Sequence, residues 1–425
     1  MKYTTILFDL DGTLTRSEEG ITRSALYASE KLGFFGHTQE EFKAFIGPPL
    51  FHSFKEIVGM TDEQAQEAVN LYRERFSAVG WAENEVYPGI AALLRSLKKN
   101  GARAAIVTAK PQEFAERIAA HFGMAPYLDG VIGTQISTRD SSKAELVARA
   151  AERFGGVPVM VGDRRFDVEG ARDCGVDSIG VCYGYGTREE LERAGATRIA
   201  ETVAELSDIL LGDAPRARGA FISMEGVDGC GKTTQREALV KHLQSRGWEV
   251  CLTREPGGDE IAEKIRALVL DPANKAMCDE AEASRYAASR AQTVRAKVRP
   301  ALERGMAVVC DRFVDSSVAY QGGGRELGWR EVAALNAMAV GGTWPDVTVY
   351  LRMDPEAALA RRLSASEPDR LEQERADFFI RTHEAYDAHL QGEARAAVVN
   401  AAQPIEDVTR DMLAAVDERL DRLPC

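Results

Sequence analysis

The sequence lacks the features that mark disulfide-bonded, zinc-binding and nucleic-acid-binding proteins. Its seven cysteines stand singly, with no CxxC pair, and its six histidines show no ligand spacing. This pattern argues against a disulfide framework or a zinc site and indicates the core thiols of a reduced intracellular protein. Basic residues are not in excess either: the formal net charge is -13. We therefore expect neither nucleic acid nor an anionic membrane as a partner.

Long apolar runs are also missing near the start of the chain. A short run, Tyr3 to Phe8, follows Met1 almost at once, with no charged leader or cleavage signal. Cytoplasm is therefore the expected location. A length of 425 residues exceeds one ordinary core, so we expect two domains or more.

A glycine-rich loop lies near the middle of the chain. The segment AFISMEGVDGCGKTTQ begins as an apolar strand at Ala220, breaks into glycines and continues as a helix. Gly226, Gly231, Lys232 and Thr233 satisfy the pattern GxxxxGK[ST], whose backbone N–H groups, lysine and hydroxyl bind the phosphates and Mg²⁺ of a nucleoside triphosphate. The strand-loop-helix context favours a phosphate-binding loop over a chance glycine-rich turn.

The best domain boundary lies just before this loop. Residues 212–219, GDAPRARG, are polar and helix-breaking. We therefore expect one domain at residues 1–212 and a second at residues 219–425. In both halves apolar strands alternate with helical segments, which predicts the α/β class with two parallel-sheet domains.

Carboxylates follow two predicted strands of the first half. Asp9 and Asp11 come directly after the run Tyr3 to Phe8, and Asp163 and Asp167 follow a later strand. Because ligands bind at the carboxyl ends of parallel strands, these acids are expected to share one crevice. They would repel one another without a divalent cation, which implies Mg²⁺. Taken alone, Asp9 and Asp11 would fit a helix-capping turn.

The first half resembles the haloacid-dehalogenase-type phosphatases. The resemblance rests on DLDGTLT, on VTAK at the end of a strand predicted over residues 104–107, on Lys143 and on GDRRFD. It implies a Rossmannoid core in which Asp9 is the nucleophile that forms an aspartyl-phosphate and Asp11 is the general acid/base. Thr108 and Lys143 would bind the phosphoryl group. The metal site would comprise Asp9, Asp11 through its backbone carbonyl, Asp163 and Asp167.

A helical insertion is predicted between the first two motifs. Residues 21–79 have helical apolar spacing, interrupted at Ile46-Gly47-Pro48-Pro49-Leu50. They resemble the small cap, about residues 16–85, of phosphoglycolate-phosphatase-like and nucleotidase-like members. A cap closes over the leaving group, so its inner face selects the substrate. The proline pair fits a plain helix stop equally well, and the sequence does not separate the two.

The second half resembles thymidylate kinase, which implies a nucleoside monophosphate kinase fold. TREPGG follows its second strand, DRF follows its third, and SSVAYQGGGR comes next. The resemblance implies catalytic roles for Lys232 and Arg312, and Mg²⁺ binding by Thr233 and Asp311. ATP would be bound by Gly226, Gly229, Gly231, Lys232, Thr233 and Thr234. The acceptor dTMP would be bound by Asp228, Arg254, Tyr286, Arg290, Arg312, Tyr320 and Gln321.

Within that set, Tyr286 and Arg290 are one helical turn apart on a common face. The resemblance implies that the tyrosine stacks on thymine and that the arginine reads its carbonyl. Asp228 would accept the sugar hydroxyl, and Tyr320 would crowd the ribose 2′ position.

The lid departs from the family pattern. The family carries a catalytic arginine either in the phosphate-binding loop or just before the DR.E motif of the lid. Here Gly229 stands in the loop, and residues 363–368, LSASEP, contain no base. We therefore expect either slow turnover or transfer of the role to Arg362.

These motifs predict a bifunctional enzyme that hydrolyses a phosphomonoester with Mg²⁺ and phosphorylates dTMP to dTDP with ATP. The expected ligands are ATP, dTMP and a small phosphomonoester, for which a nucleotide is one candidate. Two alternatives stay open for the first domain: activity on phosphoglycolate or another small phosphoester, or a binding or dimerisation module with a vestigial site. The kinase resemblance also implies pairing as a homodimer through the second half.

Overall fold

The computed structural model describes residues 1–135, 142–363, 370–371 and 374–423, without the side chains of residues 362 and 363. It divides into two compact units, the first spanning Met1–Ala217 and the second beginning at Arg218. Both units are α/β, as the alternation of strands and helices predicts. No helix in the described ranges is long and apolar enough to cross a membrane.

The first unit is built on a parallel sheet. Its strands are β1 (Thr5–Phe8), β2 (Thr15–Arg16), β3 (Glu85–Val86), β4 (Arg103–Pro111), β5 (Gly130–Thr134), β6 (Pro158–Gly162), β7 (Asp177–Val181) and β8 (Arg198–Ala200). Six of them form the sheet, in the order β5-β4-β1-β6-β7-β8, while β2 and β3 form a separate antiparallel pair. All four residues of β1 are buried, as a strand covered on both faces requires.

Helices cover both faces of this sheet. Ile6 and Phe8 join the apolar cluster on one face and Leu7 joins the cluster on the other, because successive strand residues point in opposite directions. The helices of the first unit are α1 (Glu18–Lys31), α2 (Leu50–Glu56), α3 (Asp62–Arg75), α4 (Ile90–Lys99), α5 (Gln112–His121), α6 (Lys143–Phe154), α7 (Arg165–Asp173), α8 (Arg188–Ala194) and α9 (Val203–Leu211), with 3₁₀ turns at Glu41–Phe45 and Ala125–Tyr127.

The predicted insertion is helical. It contains α1, α2, α3 and a π-helical segment, Phe76–Gly80, and has an apolar core of its own that includes Phe42, Phe45, Phe54 and Phe76. Pro49 is the N-cap of α2, so the proline pair lies immediately before a helix start. We call residues 18–80 the cap.

A second parallel sheet forms the centre of the second unit. Its strands are β9 (Ala220–Glu225), β10 (Val250–Arg254), β11 (Ala307–Asp311), β12 (Val347–Arg352) and β13 (Ala396–Asn400). They run in the order β10-β11-β9-β12-β13. All six residues of β9 are buried, so the strand that leads into the glycine-rich loop is also the central one.

Helices pack on this sheet as well, and two of them lead into π-helical segments, Val294–Val298 and Val318–Gly324. A 3₁₀ turn lies at Pro272–Asn274. The helices are α10 (Lys232–Ser245), α11 (Glu260–Leu270), α12 (Asp279–Thr293), α13 (Arg299–Glu303), α14 (Val314–Ser317), α15 (Trp329–Val340), α16 (Pro355–Leu363), α17 (Ala376–Leu390) and α18 (Ile405–Leu420).

Candidate active sites

Three carboxylates meet at the carboxyl end of the first sheet. Asp9 follows β1, Asp163 follows β6, and Asp167 lies in the first turn of α7; each offers one oxygen within 4.8 Å of the others. Burial and the neighbouring acids raise the pKa of Asp163. Burial is also the largest cause of the raised pKa of Asp167, which is about 6. Asp163 Oδ1 is buried and has no hydrogen-bond partner in the described residues. A divalent cation fits this set, because it prefers oxygen ligands and would offset the repulsion among them.

Lys143 lies between two of these acids. Its Nζ is 2.8 Å from Asp9 Oδ1 and 2.6 Å from Asp167 Oδ1, and it also donates to the carbonyl of Val107 at 2.8 Å. The lysine is the first residue of α6, whose N-cap, Ser142, accepts from the backbone of the third helical residue. Burial lowers the pKa of Lys143 but the two carboxylates raise it further, so the ammonium stays charged.

Thr108 is buried beside this group but is not the end of its strand. The sequence predicts a strand that stops at Thr108; this is wrong, because β4 continues to Pro111 with an irregular register after Val107. The Thr108 hydroxyl accepts from the backbone N–H of Lys110 at 3.2 Å. Thr108 thus lies within the strand rather than directly after its end.

Asp11 has a partner that the sequence analysis did not identify. Lys110 Nζ lies 3.0 Å from Asp11 Oδ2, and the lysine side chain is only 7% exposed. The same ammonium lies 4.7 Å from the ring centroid of Phe76 in the cap, a cation–π distance. Asp11 Oδ1 is buried and, among the described residues, has no hydrogen-bond partner. Asp11, the expected acid/base, therefore contacts a cation that also contacts the cap.

A second contact joins the cap to the sheet edge. Arg164 Nη1 donates to the carbonyl of Ile46 at 2.8 Å, and its Nε donates to Glu190 at 3.0 Å. Tyr185, whose backbone N–H donates to Asp163 at 2.7 Å, packs against the apolar core of the cap. The interruption that the sequence shows at residues 46–50 thus contacts the edge of the sheet through Arg164.

In the second unit the glycine-rich loop connects β9 to α10. Gly226, Gly229 and Gly231 have φ values of 137°, 89° and 95°, which side chains disfavour. A Cβ at Gly226 would lie 2.7 Å from the carbonyl of Leu351. Lys232 Nζ donates to the carbonyls of Gly226 and Val227, at 2.9 and 3.0 Å.

We call the space in front of this loop the phosphate cavity. It has a volume of about 480 Å³, and the helix N-terminus faces it with the positive end of its dipole. The predicted ATP-binding residues that line it are Gly229, Gly231, Lys232, Thr233 and Thr234. Gly226 lies behind the loop, where its carbonyl holds Lys232.

Arg312 connects the loop to the next site. It has a φ of 69°, an uncommon conformation for a residue with a side chain. Its Nη2 donates to Asp228 at 2.5 Å and to the Tyr320 hydroxyl at 3.1 Å, and Tyr320 in turn donates to Asp228 at 3.0 Å. Burial raises the pKa of Asp228, but Arg312 and Lys232 lower it more, so the carboxylate is held below its ordinary pKa. The structure thus brings these predicted residues together.

The nucleoside cavity, about 240 Å³, lies beyond Arg312. Tyr286, Arg290, Tyr320 and Gln321 all line it, so the predicted base-binding residues share one space. Gln321 Nε2 donates to Glu282 at 2.9 Å. Four residues line both cavities: Asp228, Glu255, Arg266 and Arg312.

Arg290 is held by four hydrogen-bond acceptors among the described residues. Its side chain is 1% exposed, and its Nε donates to Glu255 Oε2 at 2.5 Å. Nη1 donates to Ser317 at 3.2 Å and also to Asn336, and Nη2 donates to the carbonyl of Phe313 at 3.0 Å. Glu255 Oε1 is buried and has no partner among the described residues.

Arg254 and Asp311 lie at the ends of β10 and β11 and line the phosphate cavity. Arg254 is 52% exposed and pairs with Glu263 at 3.0 Å. Asp311 Oδ2 lies 3.0 Å from Nη1 of Arg236 on α10. Both predicted residues therefore lie at the edge of the sheet that faces the phosphate cavity.

The lid is described only in part. Arg361 lines the phosphate cavity, whereas the side chain of Arg362, the predicted catalytic arginine, lies outside the described residues. Arg370 of the DR.E motif is buried and donates to Glu282 at 2.6 Å.

Several residues of these sites were not identified from the sequence, among them Lys110, Glu255 and Arg236. Each of these three residues could have been identified from its position in or next to a short motif. Lys110 is the last residue of VTAK, Glu255 is the acid of TREPGG, and Arg236 lies four residues after Lys232, which is one helical turn.

Comparisons with known proteins match both halves. Residues 224–412 match the family model described as thymidylate kinase, and residues 3–175 match that of haloacid dehalogenase-like hydrolase. The thymidylate kinase of Lactobacillus delbrueckii subsp. bulgaricus is 48% identical over 195 residues, 45% of this chain and 92% of that protein. The thymidylate kinase of Pseudomonas putida is 42% identical over 205 residues, 48% of this chain and 98% of that protein. A solved structure of a predicted phosphatase from Clostridium acetobutylicum is 41% identical, with a TM-score of 0.47, over 50% of this chain and 99% of that one.

Proposed function

Because the second half of this chain belongs to the thymidylate kinase family and the first half is a haloacid dehalogenase-like hydrolase domain, we propose that the enzyme phosphorylates dTMP to dTDP with ATP and separately hydrolyses a small phosphomonoester. The observation that carries the kinase proposal is the wall shared by the two cavities. Arg312 and Asp228 line both, so a nucleotide in each would bring two phosphates together there.

The kinase step is an in-line transfer. An oxygen of the dTMP phosphate forms a bond to the γ-phosphorus of ATP as the bond to the β-phosphate oxygen breaks, which requires positioning and charge neutralisation rather than a covalent enzyme intermediate. Lys232 would exchange its two loop carbonyls for outer phosphate oxygens, and Arg312 would hold the acceptor phosphate. Mg²⁺, held by Thr233 and Asp311, would offset the charge of the donor phosphates.

The acceptor is recognised through its base and sugar. Tyr286 stacks on the pyrimidine and Arg290 donates to its carbonyl oxygen. Asp228 accepts from the sugar hydroxyl, for which its two present donors, Arg312 and Tyr320, would make room. Tyr320 disfavours a 2′-hydroxyl.

In the first unit the carboxylate of Asp9 attacks phosphorus, and Asp11 protonates the leaving oxygen. Asp11 then takes a proton from the water that hydrolyses the aspartyl-phosphate. Thr108 and Lys143 bind the phosphoryl oxygens. Asp9, Asp163 and the backbone carbonyl of Asp11 would hold Mg²⁺, supported by Asp167, and the metal would neutralise phosphoryl charge.

The test is a pair of assays on the full chain: dTDP formation from ATP and dTMP, and phosphate release from nucleotides and small phosphoesters. Asp9→Asn is expected to abolish phosphate release and leave dTDP formation intact, and Lys232→Ala is expected to do the reverse. Failure of the wild-type chain to form dTDP would overturn the kinase proposal. Phosphate release that survives Asp9→Asn would overturn the proposed nucleophile.

A further inference from the structure

Arg236 lies at the phosphate cavity although none of the motifs identified in the sequence includes it. It is on α10, one turn after Lys232 and on the same face, and helical side chains lean toward the helix N-terminus. Its guanidinium accordingly lines the cavity and lies 3.0 Å from Asp311 Oδ2, with 22% of the side chain exposed.

The cavity carries more positive than negative charge. Its basic residues, Lys232, Arg236, Arg254, Arg266, Arg312 and Arg361, outnumber its carboxylates, Asp228, Glu255 and Asp311. An excess of cations around one cavity suits a ligand with several phosphate charges.

Among the described arginines that line the phosphate cavity, Arg236 has a buried donor without a hydrogen-bond acceptor. Arg312 donates to five protein acceptors, Arg254 pairs with Glu263, and Arg266 donates to the carbonyl of Pro256 at 2.8 Å. In contrast, Nε of Arg236 is buried without an acceptor in the described residues. Buried donors in native proteins are nearly always satisfied, so this Nε–H would gain an acceptor if the guanidinium moved from Asp311 toward a ligand in the cavity.

We propose that Arg236 is a catalytic residue of the kinase, contacting the phosphoryl group in transfer and supplying the positive charge that Gly229 does not supply. This inference rests on the proposed kinase function. The guanidinium would exchange part of its pairing with Asp311 for phosphoryl oxygens, which its planar fork matches. Because negative charge is redistributed over those oxygens during transfer, the contact would be stronger in the transition state than in the ground state.

The test compares Arg236→Met and Arg236→Lys with Lys241→Met, an exposed residue of the same helix. Arg236→Met is expected to lower kcat for dTDP formation by about 100- to 1,000-fold, with the KM values for ATP and dTMP within about threefold. Arg236→Lys should recover only part of the loss, since a point charge lacks the fork. Lys241→Met should leave kcat unchanged.

A binding measurement separates transition-state contact from a structural role. ADP and aluminium fluoride, titrated with Mg²⁺ and dTMP, mimic the phosphoryl group in transfer. Their affinity should fall in Arg236→Met in proportion to kcat, while dTMP alone binds as before. A kcat within about threefold of wild type would overturn the inference. So would an Arg236→Met, Asp311→Asn double variant no slower than Asp311→Asn, because Arg236 would then act only through Asp311. If the wild-type chain forms no dTDP, the proposed function itself fails.

Discussion

Arg290 and Glu255 form a buried ion pair, with 2.5 Å between Nε and Oε2 and both side chains 1% exposed. Glu255 comes from the loop after β10 and Arg290 from α12, so the pair fixes the arginine against the wall of the nucleoside cavity. Without this pair, the side chain of Arg290 would lose conformational entropy each time it bound a base.

Glu255→Gln is expected to lower kcat/KM for dTMP about fivefold. The amide keeps the size and one acceptor but removes the charge, and a charge-assisted hydrogen bond exceeds a neutral one by about 1 kcal/mol. Steady-state kinetics with dTMP at saturating ATP measures the effect. Glu260→Gln is the matched control, because Glu260 is 86% exposed in a surface pair with Lys264. An unchanged kcat/KM in Glu255→Gln would show that Arg290 is positioned without this charge.

The same pair has a pH signature. Burial raises the pKa of Glu255 from 4.5 to about 7, despite the lowering effect of Arg290. Between these values the folded state keeps a proton that the unfolded chain releases. This contribution to the free energy of unfolding is therefore fully present below pH 4.5 and is lost as the pH rises through 7, by up to about 3 kcal/mol.

Hydrogen exchange of the β11 amides at pH 5 and pH 8, corrected for intrinsic rates, measures this change. The wild type should lose protection relative to Glu255→Gln as the pH rises. A difference between the two proteins that stays constant with pH would contradict the raised pKa. Ionisation of Glu255 therefore provides the charge that pairs with Arg290 but lowers the free energy of unfolding.

Lys110 links the proposed acid/base to the cap. Its ammonium contacts Asp11 at 3.0 Å and the ring of Phe76 at 4.7 Å. Without it, Asp11 and the other acids would repel an incoming phosphoester. We expect Lys110→Met to lower kcat/KM for phosphate release about 10- to 100-fold, the value of one partly buried charge contact of about 1.5–3 kcal/mol.

The control for Lys110→Met is Lys31→Met, which removes an exposed lysine that also contacts an aromatic ring of the cap, that of Tyr27. It should leave phosphate release unchanged. Equal activity of the two variants on the best substrate of the wild type would exclude a role for Lys110. Formation of dTDP should be unaffected in both.

The positions of the main motifs could be predicted because they depend on local sequence. A buried strand followed by glycines and Lys232 can fold in few ways, and Asp9 and Asp163 follow apolar strands whose ends must share one edge of a parallel sheet. The extension of β4 beyond Thr108 could not be predicted, because it depends on pairing with β5, from which Thr134 pairs with Pro111.

The hydrogen-bond partners of these side chains could not be predicted from the sequence either. The acceptors of Arg290 include Glu255, Ser317 and Asn336, which lie 35, 27 and 46 residues away along the chain. Such partners are set by the packing of α12 and α15, and no short motif contains them. The family resemblance implies that Arg290 binds the base. Packing determines how many of its N–H groups are available to do so.

The number of N–H groups that Arg290 has left for a ligand determines which bases it can bind. A guanidinium has five N–H groups, and in the described part of the chain four of them donate to Glu255, Ser317, Asn336 and Phe313. One N–H on Nη2 is left for the base. A carbonyl oxygen accepts from it, so dTMP and dUMP should both be substrates. The methyl group of dTMP should favour it by about 1–3 kcal/mol in an apolar contact, or about 10- to 200-fold.

Cytosine presents an amino group at the position of that carbonyl. The remaining N–H of Arg290 would face a second donor, and the arginine cannot turn to avoid it because its other donors are fixed. The lost charge-assisted bond and the unpaired buried donor together should cost dCMP more than about 4 kcal/mol, or roughly 1,000-fold in kcat/KM. Measuring kcat/KM for dTMP, dUMP and dCMP with the wild-type chain tests this order. A dCMP efficiency within tenfold of that for dUMP would mean that Arg290 does not read the base, and the selectivity would then have to arise elsewhere in the nucleoside cavity.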